Sequence, residues 1–243
     1  MKTFSDCPFK FKKKYIDNIK WEIGKAITDK ADFGNDFHKI AERYFLGIPM
    51  IEEDLKENEI LYNAYMNLKE YFSIEKENKY MPEYTIRFID KDIRLEANMD
   101  LVIIKPNNKI EIWDWKTNSN LEKAKVYETS MQTQVYLYSL KTIAKEILGL
   151  DVEYSDISMI YFSPESKLEL TKIVYNEKLH NLYQKNISNL IEKIYNYDYQ
   201  KFNRNEFLKS CKFCEFNLFC NNKKDKDEEF SAEIDFNTIE EIC

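Results

Sequence analysis

The chain has 243 residues, of which 44% are hydrophobic and 15% aromatic, with four glycines, five prolines and a formal net charge of -7. That is enough apolar material for a sizeable core in one large domain, and it excludes a loop-dominated or disordered protein. The acidic balance excludes the broad basic footprint of a general duplex-DNA binder but leaves room for a local basic patch, since acids that hold a metal lower the net charge by themselves.

The first residues show no apolar core of a signal peptide, and no apolar run reaches the roughly 18 residues of a membrane span, so a cytoplasmic protein is expected. Ser5 or Asp6 is the expected cap of a first helix, with Pro8 in its opening turn. Lys10, Lys12, Lys13, Lys14 and Lys20 make a basic stretch there, readable equally as a solvated helix face. Phe33, Phe37, Ile40, Ala41, Tyr44 and Phe45 recur at helical period, and Gly47 and Pro49 close that helix. His38 flanks the stripe; a lone histidine in such a place is ordinarily a packing or flank residue. Residues 54–79 repeat the helical pattern, and residues 80–90 read as a strand in which Glu83 has a structural role.

Residues 95–117 carry the strongest signal. Ile93, Leu95, Ala97, Met99 and Leu101 alternate with Arg94, Glu96, Asn98 and Asp100, which is strand periodicity. Pro106, Asn107, Asn108 and Lys109 form a turn, after which Ile110, Ile112, Asp114 and Lys116 share one face. A hairpin centred near Asn107 sets Asp100 across from Asp114, within about 5.5 Å. Two carboxylates that close repel unless a cation joins them, and Mg2+ or Mn2+ takes oxygen ligands. Lys116 points at the same spot. Apolar flanks (Ile110, Ile112, Trp113, Trp115) indicate a buried strand end, where unpaired charges are costly.

Residues 121–148 are helical and hold two interleaved pairs, Gln132 with Tyr136 and Gln134 with Tyr138, each on one helix face. A strand over 155–163, a turn, a returning strand over 168–175 and an amphipathic helix over 177–197 follow. Cys211, Cys214 and Cys220 have Cys-x2-Cys-x5-Cys spacing and hold three of the five cysteines. Such a trio converges on a metal, either zinc or an iron–sulfur cluster, and needs a fourth ligand; Cys7 and Cys243 are the two remaining cysteines. Residues 221–229 read as a charged linker, and 230–243 as a short terminal segment.

Cys7-Pro8, Gly34-x3-His38, Asp100 on a strand, Asp114-Trp115-Lys116-Thr117, Gln134-x3-Tyr138 and the three late cysteines follow one another in an order that resembles the PD-(D/E)xK nuclease superfamily. Within it, the pattern is similar to RecB-like nucleases, namely AddB-type nuclease domains and CRISPR-associated iron–sulfur exonucleases. The resemblance implies an α/β, restriction-endonuclease-like mixed central sheet flanked by helices, as a domain over 1–220 whose two ends meet at the cysteines. It implies that His38, Asp100, Asp114 and the Trp115 carbonyl bind Mg2+ or Mn2+, and that Lys116 orients water or stabilises developing charge. Gln134 and Tyr138 would contact nucleic acid or support the site. Cys7, Cys211, Cys214 and Cys220 would hold a 4Fe–4S cluster. The implied function is a DNA exonuclease acting on single strands or ends, with recombination or CRISPR-adaptation proteins as partners. A non-catalytic Fe–S or zinc protein that binds nucleic acid, and a restriction-type endonuclease, are the other classes the sequence leaves open.

Overall fold

Strand β3 (Ile110–Trp115) is buried along its whole length, and so is β4 (Ile157–Phe162). Near-continuous apolar strands of this kind belong in the middle of a sheet covered on both faces. The computed structural model describes residues 1–19, 28–90, 93–117, 121–165, 170–211, 214–217 and 220. In it, β3 and β4 run parallel at the centre of a five-stranded sheet ordered β1-β2-β3-β4-β5. Strands β1 (Lys79–Asp90), β2 (Ile93–Ile104) and β5 (Leu170–Val174) each pair antiparallel with their neighbours. The β2–β3 ladder pairs Leu101 with Trp113 and Ile104 with Ile110, the register expected from a turn centred at Asn107.

Helices cover both faces. Leu101, Ile103, Trp113, Trp115, Ile160 and Phe162 share a core with α3 (Thr28–Phe45) and α5 (Glu59–Tyr71). Phe72, which caps α5, sits at its centre, with ring centroids 4.7 Å from Trp113 and 5.1 Å from Phe45. Gly47 ends α3 at a φ of 67°, in the left-handed region where glycine carries no steric cost. The opposite face is covered by α7 (Met131–Leu148), which packs on β1, β2 and β4. The helical pattern expected over 121–148 is broken in two. Helix α6 (Ala124–Glu128) stops, and Ser130 starts α7 as a cap whose hydroxyl accepts from the Thr133 N–H. Likewise 54–79 divides into α4 (Glu52–Leu55), α5 and the start of β1.

The chain divides into two compact units, residues 28–188 and a second built from 1–27 with 189–243. The first holds the sheet. In the second, α1 (Lys2–Asp6) and α2 (Pro8–Phe11) join the late segment through aromatic contacts, Phe4 with Tyr197 and Phe9 with Phe202. Ser210 Oγ also donates to the Asp6 carbonyl at 2.8 Å. The cap of α2 is Cys7, whose sulfur accepts from the Lys10 N–H, rather than Ser5 or Asp6, which lie inside α1. The basic stretch is partly neutralised within the unit: Lys10 pairs with Glu215 at 2.7 Å, and Lys12 and Lys13 both pair with Asp17. Lys20, the linker and terminal segment over 221–243 with Cys243, and the turn residues 166–169 lie outside the described residues. Among the described residues, no helix is long and apolar enough to cross a membrane.

Phe72→Ala should therefore cost about 3–5 kcal/mol, the scale of a large aromatic removed from a packed core. Leu46→Ala, at a side chain 54% exposed, should stay within about 0.5 kcal/mol. Chemical denaturation of the two variants against the parent chain measures both.

Candidate active site

Past Leu101 and Trp113 the β2–β3 ladder opens, and the next pair of positions is Asp100 and Asp114. Both side chains are buried. Each of their four oxygens faces one partner. Asp100 Oδ2 accepts from the Trp115 N–H at 2.7 Å, and Asp100 Oδ1 lies 3.4 Å from His38 Nδ1. Asp114 Oδ1 accepts from Gln132 Nε2 at 2.7 Å, and Asp114 Oδ2 forms an ion pair with Lys116 Nζ at 2.5 Å.

Several elements place these partners. His38 comes from α3, one turn after Gly34, whose bare Cα faces the Thr117 side chain: an added Cβ would lie 3.4 Å from Thr117 Oγ1. Lys116 follows the last residue of β3, and its N–H donates to the Phe162 carbonyl at 2.8 Å, which ties the end of β3 to the end of β4. Its ammonium lies over the ring of Tyr161, 5.2 Å from the centroid. Tyr161 is the ladder partner of Asp114, stacks on Tyr127 at 3.7 Å and shares a 2.6 Å hydrogen bond with the Thr133 hydroxyl of α7.

The two Gln/Tyr pairs of α7 go to different places. Gln132 lies in the site: its Oε1 accepts from Lys116 Nζ at 3.0 Å, while its Nε2 donates to Asp114 and to the Tyr136 hydroxyl. Gln134 and Tyr138 are buried on another side. Gln134 donates to the Thr129 carbonyl and accepts from Asn186 Nδ2, and the Tyr138 hydroxyl accepts from Gln184 Nε2. Both amide partners stand on α8 (Glu177–Tyr195). The physical reason is helical phase, since residues two apart on a helix point nearly opposite ways. The indole of Trp115 belongs to the aromatic core, stacked on Phe45.

The electrostatics follow from burial. Asp100 is pushed up to about 7 by burial and then by Asp114, with His38 and the Trp115 N–H opposing. Asp114 is raised by burial against the pull of Lys116 and His38. Burial works against a charged His38, but Glu83, Asp100 and Asp114 outweigh it, and its pKa is raised. Burial also raises the Tyr136 and Tyr161 hydroxyls far up, so both stay protonated donors. His38 Nδ1, a Glu83 oxygen and an Asp100 oxygen all lie within 4.8 Å of one another. Imidazole and carboxylate donors in one place fit a Mn2+ or Mg2+ ion. Glu83, read from the sequence as structural, is thus part of the cluster.

The cysteines lie in the other unit. Cys7 is buried, and Cys211, Cys214 and Cys220 are half-buried. Cys220 is pushed up to about 11 by burial and then by Cys7, Cys214 and Cys211. Burial also raises Cys7 and Cys214, with Cys211 and Cys7 respectively contributing.

The raised carboxylates make stability depend on pH. Between about pH 4 and 7 the folded chelator-treated protein holds protons that the unfolded chain has released. Its stability should therefore fall as pH rises through that window, and the raised His38 continues the trend above it. Saturating Mn2+ should flatten the slope, because the cation displaces those protons. Asp100→Asn keeps an acceptor for the Trp115 N–H and removes one charge, so it should stabilise the chelated protein at neutral pH by at least about 1 kcal/mol, or roughly 2–4 °C. Melting curves from pH 4 to 8, with EDTA or Mn2+, test this; a chelated protein whose stability rises with pH would contradict it.

No match was found among the curated proteins. One solved structure, the crystal structure of SSO0001, is similar over 88% of this chain and 94% of its own, at 15% identity and a TM-score of 0.38, a likeness too distant to bear weight. The family model of the PD-(D/E)XK nuclease superfamily matches residues 1–71 and 56–221. That span takes in His38, the facing strand ends with Asp100 and Asp114, Lys116 and the first turn of α7, and on it the chain belongs to the PD-(D/E)XK nuclease superfamily.

Proposed function

We propose that this protein is a Mg2+- or Mn2+-dependent nuclease that hydrolyses phosphodiester bonds in DNA. The observation that carries the reading is the meeting of Asp100, Asp114 and Lys116 at one buried strand end, beside His38, in a chain of this superfamily. His38, Asp100 and Asp114, with the Trp115 carbonyl, would hold the ion. A divalent cation held there would supply Lewis acidity toward a phosphate oxygen and toward water. Lys116 presents its ammonium to the water or the phosphate. Asp114, Gln132 and the Tyr161 ring keep that ammonium in one place, which is how a preorganised charge is made effective. Gln132 and Tyr136, rather than Gln134 and Tyr138, take the supporting role in this reading.

An exonuclease acting on single strands or ends, in recombination, repair or CRISPR adaptation, follows from the order of motifs shared with RecB-like nucleases. The same resemblance assigns Cys7, Cys211, Cys214 and Cys220 to a 4Fe–4S cluster with a structural role. All four cysteines belong to the second unit, which is where the resemblance would place a shared centre. A cluster there would link the two chain ends and restrict a long loop.

End-labelled single-stranded DNA with Mn2+, beside a covalently closed circle, tests the activity. The labelled strand should be degraded and the circle left intact; a cut circle indicates an endonuclease. Asp114→Ala and Lys116→Ala should each lower the rate by at least about 10²–10³-fold, the scale of one preorganised electrostatic group. Gln132→Ala should lower it by about 10–100-fold. Gln134→Ala should instead lower stability and leave the rate per folded molecule near the parent's, because it strands Asn186 and the Thr129 carbonyl. Normal cleavage by Asp114→Ala would remove the hairpin from consideration as the active site.

Protein purified without oxygen should be brown and contain iron, and Cys7→Ala should lose it. One equivalent of zinc without iron rejects the cluster, and loss of iron in Cys243→Ala but not Cys7→Ala moves the fourth ligand.

A further inference from the structure

The β1–β2 ladder brings a third acid into the row formed by Asp100 and Asp114. Pro82 pairs with Leu101 and Tyr84 with Met99, so position 83 falls across from position 100. Glu83 has a φ of 47°. A long side chain in the left-handed region carries a backbone cost, and such a residue persists only where its surroundings hold it.

Here the side chain is held at both oxygens. Oε1 lies 3.5 Å from His38 Nδ1, which is itself 3.4 Å from Asp100 Oδ1. Oε2 accepts from Asn98 Nδ2 at 3.5 Å. Asn98 Oδ1 in turn accepts from the hydroxyl of Thr85, its ladder partner, at 3.0 Å. Asn98 thus stands behind the carboxylate and leaves Oε1 aimed at the imidazole. Adjacent ligands about 2.1 Å from a small divalent ion sit roughly 3 Å apart. The two spacings at His38 Nδ1 are only slightly wider, and one donor atom from each of the three residues lies within 4.8 Å of the others. Without a cation, Glu83 adds a like charge beside Asp100, offset only by its pairing with His38.

We propose that Glu83 is a further ligand of the divalent cation, binding through Oε1 while Asn98 fixes Oε2. The proposal rests on the reading of His38, Asp100 and Asp114 as metal ligands. Glu83 adds a hard oxygen and one negative charge to the donor set. It stands across from Asp100 in the β1–β2 register, at a residue whose φ departs from regular strand geometry. Asn98 is a positioning residue that acts through Glu83.

The test is Mn2+ binding to the full chain without DNA, by calorimetry and by the rise in melting temperature. Glu83→Gln, which keeps size and loses charge, should weaken binding by at least about tenfold, and Asn98→Ala by less. Glu83→Gly separates a ligand from a mere turn residue. Glycine adopts the positive φ freely, so the chelated protein should melt no lower than the parent, yet its Mn2+ affinity should fall as far as that of Glu83→Gln. If Glu83→Gln and Glu83→Gly bind within about twofold of the parent while Asp114→Ala does not bind, Glu83 is no ligand and the reading of the site stands. If the parent shows no saturable Mn2+ binding, or Asp114→Ala binds as the parent does, that reading fails and takes the Glu83 proposal with it.

Discussion

Two carboxylates are buried side by side where a hairpin opens, and much of the first unit is arranged around that constraint. At about 4 Å, like charges repel by several kcal/mol near a protein surface and by more in a dry interior. The fold answers with one partner for each oxygen: a main-chain N–H, an imidazole, an amide and an ammonium. These come from β3, α3, α7 and the residue just past β3. Each of those elements must hold its place for the acids to be tolerated, so the packing of the aromatic core and the chemistry of the strand end are one problem.

Lys116 shows how closely they are linked. Its backbone is fixed by the Phe162 carbonyl, its ammonium by Asp114 and Gln132, and its underside by the Tyr161 ring. Tyr161 is pinned by Thr133 and covered by Tyr127. A lysine carries much side-chain freedom. Spending that freedom during folding, rather than when a phosphate arrives, is what a preorganised charge requires.

Much of this was legible in the residues. Alternation gave both strands of the central hairpin, and the Pro106–Lys109 turn set the register that opposes positions 100 and 114. The choice between the α7 pairs was not legible. Both have the same spacing, and only the neighbours of each helix face, strand ends on one side and α8 on the other, tell them apart. Glu83 was missed although the same register argument reaches it, because a proline and a positive φ interrupt the strand pattern beside it. The cap at Cys7 was missed because a thiol is a poor capping group by type. The partial neutralisation of the N-terminal lysines is a tertiary effect, with Glu215 more than two hundred positions away from Lys10.

The irregular step at Pro82 and Glu83 has a second consequence. Strand β1 is an edge strand of the sheet, paired on one side only among the described residues. A long open edge is a template on which another chain can add a strand. Pro82 has no main-chain N–H to offer, and the left-handed turn of the backbone at Glu83 departs from regular strand geometry there. The irregular step beside the imidazole therefore also interrupts the first part of that open edge, where a strand of another chain would otherwise find a regular run to pair with.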